Sequence, residues 1–306
     1  MRALSLYPPG RRRALARSFA SARPFKHVVI DDFFAPGFCR RLAKDFPKYD
    51  RARFLNEHGD PGKAHHEALR RLGPAFRALD DALRSPAFIG LIEDISGIDG
   101  LLFDPSYFGG GTHENLDDME LFPHVDFNCR GGLHRRLNLL IYLNPVWRAE
   151  WGGSLQLHEN AWPARRDDRV KTVAPLMNRC VMFETTDRSW HGFERLRLPP
   201  GERVSRRSIA LYLYSKSPAA GVAPIPPDLT MFVDRPLPER FKQAGRALSA
   251  EDARELERLV VERDRRIEYL YGRALDWYRR AVRGEAVSGM LDEAAERVRR
   301  LRRGRA

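Results

Sequence analysis

The sequence predicts a mainly β chain with flanking helices: a β-sandwich or barrel core, helices before it and a helical appendage after it. Three observations carry this expectation. From about residue 101 the chain becomes a series of short apolar segments separated by turn residues, the pattern of a sandwich or barrel. Before that point Leu69, Leu72, Phe76, Leu79 and Leu83 recur at intervals of three and four, one buried helix face. Beyond it, a proline-rich stretch over 218–238 leads into a long segment of helical spacing.

Taken in order, Phe25 to Ile30 is β-branched and reads as a strand stopped by Asp31 and Asp32. Residues 36–50 and 65–96 have helical spacing, the second punctuated by Pro86 and Gly97. The expected β segments are 101–107, 137–143, 154–157, 170–173, 180–183 and 208–214, with glycine pairs or triplets at 109–111 and 152–153. Ser249, followed by Glu251 and Asp252, reads as a helix N-cap with acids in the first turn. That helix runs to about 283, and a second covers roughly 289–303. The organisation expected is a basic leader over 1–24, a catalytic-sized domain over 25–216 with its β core at about 100–216, and an arm with C-terminal helices over 217–306.

With 306 residues, 43% hydrophobic and 31% charged, the chain can bury a sizeable core, which excludes a wholly disordered protein. No run approaches the roughly 18 apolar residues of a membrane span. Residues 1–24 lack the apolar stretch of a secretory signal. Cys39, Cys129 and Cys180 are odd in number and scattered, so reduced thiols and a cytoplasmic setting are expected. The net charge of +12 sits at the ends: seven Arg and Lys without an acid in residues 1–30, and a net +5 in residues 294–306. Residues 31–293 are formally neutral, so the basic ends read as solvated tails and nucleic acid is not the expected partner.

Three of the nine histidines begin a His-x-Asp/Glu triplet, at His58, His65 and His124. His58 lies in a Gly-Asp-Pro-Gly turn. His65 and Glu67 open a predicted helix, where positions two apart diverge by about 200°. His124 and Asp126 lie in a stretch that can be extended, where residues two apart share a face and an imidazole and a carboxylate can converge on one ion. His191 follows a run of strands; two histidines and one carboxylate form the facial set suited to non-haem Fe(II), although His191 taken singly reads first as a satisfied core or turn histidine. In 203–214, alternation puts Arg206, Ser208 and Ala210 on one face. A guanidinium and a hydroxyl facing a barrel interior suit a carboxylate; the other reading is an edge strand with Arg206 in solvent.

The ordered blocks Phe108-Gly-Gly-Gly-Thr-His113, His124-Val-Asp-Phe-Asn128, Arg136 to Asn144, Trp151-Gly-Gly153, Trp190-His-Gly192 and Arg206-Arg-Ser208 resemble the prolyl 4-hydroxylase-like branch of the Fe(II)/2-oxoglutarate-dependent dioxygenases. The resemblance covers about 100–216, more loosely from 25. It implies a double-stranded β-helix, or jelly roll, with His124, Asp126 and His191 as iron ligands. Arg206 would bind the distal carboxylate of 2-oxoglutarate beside Ser208, with Tyr142 and, on a looser match, Tyr107 as further co-substrate contacts. It further implies Fe(II), 2-oxoglutarate and O₂ as cofactor and co-substrates, ascorbate as a reductant, and C–H hydroxylation with release of succinate and CO₂. Asp126 is present where related halogenases lose this carboxylate, so hydroxylation is expected. The competing functions are a catalytically silent jelly-roll binding protein and a nucleic-acid dealkylating oxygenase. The substrate class stays open between small molecules and peptidyl residues. The chain is expected to act as a monomer, or as a homodimer through its C-terminal helices. His113 and Glu114 read as loop residues that could face substrate.

Overall fold

Four prolines set the N-terminal helices. Helices α1 (Pro9–Ser21), α2 (Pro36–Lys44), α3 (Pro74–Leu83) and α4 (Pro86–Ser96) each begin on one. There the missing N–H costs nothing, because the first turn has no intrahelical acceptor for it. Ser85 caps α4 by accepting from the Phe88 amide at 3.2 Å, and Gly97 ends the helix in a left-handed conformation, as Pro86 and Gly97 lead one to expect. The structure is a computed structural model and describes residues 3–54, 62–162, 168–225, 230–234 and 237–282.

The strands are β1 (His27–Ile30), β2 (Ala64–His66), β3 (Leu102–Phe103), β4 (Gly111–Asn115), β5 (Leu121–Val125), β6 (Cys129–Arg130) and β7 (Leu133–Tyr142). They continue as β8 (Leu155–His158), β9 (Val170–Val173), β10 (Cys180–Glu184), β11 (Trp190–Phe193), β12 (Arg206–Ser215) and β13 (Met231–Phe232). One sheet has the order β1-β10-β7-β12-β4-β2, with β3 on β12 and β6 on β7; the other has the order β13-β5-β11-β8-β9. From β4 to β12 the chain passes back and forth between the two sheets, which is the jelly-roll path. All strand pairs are antiparallel.

The large sheet is apolar on both faces because both are covered. Its outer face puts Leu137, Leu139, Ile141, Ile209, Leu211 and Leu213 into the main core with α2 to α4. Its inner face packs Tyr142, Val181 and Phe183 against Leu155, Leu157 and Val173 of the small sheet. Strands β7 and β12 therefore read as near-continuous apolar runs despite belonging to an antiparallel sheet.

Several expectations need correction. The basic leader 1–24 is not a solvated tail: Tyr7 and Phe19 belong to the main core, and Arg12 pairs with Asp94 at 2.7 Å. Residues 64–66 form an edge strand on β4, not the start of a helix, and the helix face begins only at Pro74. The first compact unit runs Met1–Arg235, past the expected limit at 216, because Ile225 and Val233 are buried with Val125, Phe127 and Trp190. His58 and the helix expected over 289–303 lie outside the described residues.

The second unit, Pro236–Ala306, contains α5 (Ala250–Val282). Ser249 caps it as expected: the Asp252 amide donates to Ser249 Oγ and the Ser249 amide donates back to Asp252 Oδ2, both at 3.1 Å. Arg240 and Arg246 close on the same carboxylate. No described helix is long and apolar enough to cross a membrane.

Asp80 is the fully buried polar anchor of the helical layer. It accepts from Arg84 Nε at 2.7 Å, Arg70 Nη1 at 2.8 Å and the Tyr107 hydroxyl at 2.9 Å. Burial pushes its carboxyl up, but those three donors outweigh burial and hold it below the usual carboxylate range. The folded state therefore binds fewer protons here than the unfolded one, and the stability gained is complete above about pH 4 and lost as pH falls below it. Asp80→Asn should lower stability by about 2 kcal/mol at neutral pH and flatten the acid limb of a urea-unfolding series, because charge-assisted bonds are lost and a buried phenol is left without its acceptor.

Candidate iron and co-substrate site

The two histidines meet by strand pairing. His124 on β5 stands directly opposite His191 on β11, with ring centroids 4.3 Å apart. His124 Nδ1 bonds to the Phe122 carbonyl at 3.0 Å and His191 Nδ1 to the Ser189 carbonyl at 2.9 Å. A carbonyl can only accept, so each ring keeps its proton on Nδ1 and presents an Nε2 lone pair. Asp126 follows β5, with Oδ1 at 3.6 Å from His124 Nε2 and Oδ2 at 3.8 Å from His191 Nε2. One ligand atom from each of the three lies within 4.8 Å of the others.

The protonation states suit a metal. Burial first, and the neighbouring His124 second, push His191 down to about 4, so its imidazole is neutral near pH 7. Burial raises the Asp126 carboxyl, but the neighbouring His124 and His191 rings and the Arg135 guanidinium hold it well below the usual carboxylate range. Two imidazole Nε2 atoms and one carboxylate on one side of a common point form the 2-His-1-carboxylate face that leaves adjacent positions open on Fe(II).

Gly192 explains how β11 carries its histidine so close to β5. A Cβ there would lie 2.5 Å from the Leu121 carbonyl oxygen, so only glycine permits this approach where the β5–β11 register shifts.

Arg206 opens β12 and is buried, on the inner face with Ser208, as alternation predicts; it is not on a solvent edge. Its Nε donates to the Gly153 carbonyl at 2.6 Å, its Nη2 to the Tyr142 hydroxyl at 3.2 Å, and its guanidinium lies 4.1 Å from the Phe193 ring centroid. Phe193 lies two residues beyond His191 on β11. Among the described residues no carboxylate lies within 4.0 Å of this buried cation, which calls for an anionic ligand. Burial raises the Tyr142 phenol, Arg206 opposing, so it stays protonated and can donate to that anion. Ser208 stands opposite Tyr142 across β7–β12.

Gly153 makes room for this arrangement. With φ at +68°, an added Cβ would come within 2.4 Å of Leu196 Cδ2 and 3.3 Å of Arg206 Cδ. The Trp-Gly-Gly block thus supplies both the acceptor and the space for the arginine.

Tyr107 does not join the site. Its hydroxyl is committed to Asp80 and its ring to the main core beside Phe103, which corrects the looser match at that position. His113 and Glu114 are strand residues of β4 rather than a loop; His113 stands opposite Ser208.

Two positioning residues went unread in the sequence. Asn138 Nδ2 donates to Asp126 Oδ2 at 3.1 Å, and Arg135 Nη1 lies 3.6 Å from the same oxygen. Arg135 is buried between the rings of Phe127 and Tyr212, 3.7 and 3.5 Å from their centroids. Asn138 shares the inner face with Tyr142, four residues on, so the same alternation could have found it. Groups that hold a metal-ligating carboxylate typically contribute about 10–100-fold in metal affinity. Asn138→Ala should weaken Co(II) binding within that range in a calorimetric titration while leaving the 2-oxoglutarate affinity of the metal-loaded protein near its parent value.

Residues 111–214 match the sequence profile of the 2OG-Fe(II) oxygenase superfamily. The matched segment is about a third of the chain. It contains His124, Asp126, His191 and Arg206. A prolyl 3-hydroxylase of Mus musculus, OGFOD1, is 28% identical over 197 residues, which is 63% of this chain and 33% of that protein. The chain thus spans about a third of the length of that curated relative. Among solved structures, the chain resembles a Trichoplax adhaerens prolyl hydroxylase in complex with a hypoxia-inducible-factor peptide (TM-score 0.46, 16% identity, 67% of this chain and 90% of that one). It also resembles a Pseudomonas putida prolyl 4-hydroxylase (TM-score 0.42, 17% identity, 66% and 98%).

Proposed function

We propose that the protein is an Fe(II)- and 2-oxoglutarate-dependent dioxygenase that hydroxylates an unactivated C–H bond of a small-molecule or peptidyl substrate. The observation that carries this reading is the pairing, inside one jelly roll, of the His124–Asp126–His191 cluster with the buried and unopposed Arg206. A silent binding protein would have no use for both. With O₂, Fe(II) and 2-oxoglutarate supply oxidative decarboxylation to succinate and CO₂ coupled to C–H hydroxylation.

The chain's own residues bind and orient. His124 Nε2, His191 Nε2 and an Asp126 oxygen hold the ion on one side. Asn138 and Arg135 fix the carboxylate's rotation. Arg206 and the Tyr142 hydroxyl receive the distal carboxylate of 2-oxoglutarate, with Ser208 next to them. Phe193 packs over the guanidinium and keeps water from it, which strengthens its pull on an anion. Ascorbate would serve as reductant. The buried thiols of Cys39 and Cys180 support a reducing, cytoplasmic setting.

The test is direct. Purified protein with Fe(II), ascorbate and 2-oxoglutarate should release succinate slowly even without substrate, in an amount set by enzyme and 2-oxoglutarate. Absence of succinate in a sample that binds both Fe(II) and 2-oxoglutarate would favour the binding-protein alternative.

A further inference from the structure

The arm that follows β12 brackets the stretch carrying two of the metal ligands. At one end Asn128 Nδ2 donates to the Ala223 carbonyl at 2.8 Å, and Asn128 Oδ1 accepts from the Ile225 amide at 2.7 Å. At the other end β13 pairs with β5, and the Val233 amide donates to the Pro123 carbonyl at 2.8 Å. Ile225 and Val233 are buried with Val125 and Phe127. His124 and Asp126 lie between these two attachments, and the arm lies beyond residue 214, where the profile match ends.

Pairing then places one side chain. Phe232 stands opposite His124, and His124 stands opposite His191, so the three share one row of the inner face across β13, β5 and β11. The Phe232 ring stacks on the His124 ring, with centroids 5.0 Å apart and planes 26° apart. Both histidines are buried, whereas Phe232 is 38% exposed, so the solvent-facing end of the row is an aromatic ring. The co-substrate arginine packs on Phe193, which pairs with Leu121 at the start of β5, whereas Phe232 pairs at His124 near its end. That register leaves the ring to the substrate rather than to 2-oxoglutarate.

A phenyl ring offers no hydrogen bond. A hydroxyl, amide or charge pressed against it would lose its water without gaining a partner, while an aliphatic group buries apolar surface there. The attachments at Asn128 and Pro123 hold this wall in place before a substrate arrives, so little ordering remains to oppose binding. We propose that Phe232 is a specificity-determining residue that packs against an uncharged aliphatic group of the substrate, next to the carbon to be hydroxylated. This deepens, and rests on, the reading of the triad as an oxygenase centre.

The experiment uses the full chain loaded with Mn(II) and 2-oxoglutarate. It reads the relaxation that Mn(II) imposes on the protons of small probes, which registers weak binding close to the ion. The probes are N-acetyl methylamides of amino acids in matched pairs: leucine with asparagine, valine with threonine, and proline with its ring-oxygen analogue. At least one aliphatic member should bind more tightly than its polar partner by about ten-fold or more, the discrimination that a small apolar contact provides. Phe232→Ala should erase that preference and Phe232→Leu should keep most of it. Co(II) and 2-oxoglutarate affinities should stay within a few-fold of the parent in both, with melting temperatures recorded alongside. Equal binding within every pair, no relaxation of any aliphatic probe, or an undiminished preference in Phe232→Ala would overturn the proposal while leaving the oxygenase reading intact. Loss of Co(II) binding in a folded Phe232→Ala protein would overturn it too, by making the ring a support for His124. Failure of the parent protein to take up Mn(II) and 2-oxoglutarate would instead sink the oxygenase reading on which it stands.

Discussion

Asp126→Ala is expected to leave a chain that retains no Fe(II) under anaerobic titration and releases no succinate. Asp126 is the one carboxylate of the three converging ligands, and without it two imidazoles face a divalent cation beside the positive charge of Arg135. The loss should exceed the roughly 10–100-fold in metal affinity that supporting contacts carry. Stability should fall as well, because a buried guanidinium loses its nearest carboxylate. Asp126→Asn separates the two effects: it keeps the side-chain volume and an oxygen near Arg135 but removes the charge. A calorimetric Co(II) titration run beside a thermal melt distinguishes a chain that cannot hold metal from one that cannot fold. Metal affinity within a few-fold of the parent in both variants would remove Asp126 from the ligand set.

Arg206→Ala should raise the KM for 2-oxoglutarate by about a hundred-fold, the worth of one strong charge-assisted bond or two modest ones. Fe(II) binding should survive, because Arg206 is not one of the three converging ligands. Arg206→Lys should restore little. The parent side chain is held by Nε on the Gly153 carbonyl and Nη2 on the Tyr142 hydroxyl, a forked attachment that an ammonium cannot reproduce. Tyr142→Phe should give a smaller rise in KM, since it removes one donor and leaves the charge in place. An Arg206→Ala protein with parental KM would mean that the co-substrate carboxylate is bound elsewhere.

The sequence exposed most of the β core because alternation is a local signal. His124 and Asp126, two residues apart, and the Arg206, Ser208, Ala210 series could be placed on faces from neighbours alone. It exposed less where tertiary pairing overrode local pattern. His65 and His66 sit in a run with helical spacing, yet they add an edge strand to β4, because an open sheet edge takes up the nearest extended segment. Tyr107 matched a co-substrate position by its place before the triple glycine, but its direction depends on Asp80, 27 residues away, and no local signal reports such a contact. Arg135 hid for the opposite reason: one arginine among several in a basic stretch, it differs only in being enclosed by Phe127 and Tyr212. In the leader, the many arginines mask Tyr7 and Phe19, the two residues that anchor it.

The central claim is that one ion and one molecule of 2-oxoglutarate share the inner face of this jelly roll. An anaerobic titration of the metal-free protein with Fe(II) and then 2-oxoglutarate, followed by visible absorption, tests it most directly. The predicted result is a charge-transfer band that saturates at one equivalent of each and is absent from His191→Ala. A band of undiminished intensity in His191→Ala, or Fe(II) bound by the parent with no response to 2-oxoglutarate, would contradict it.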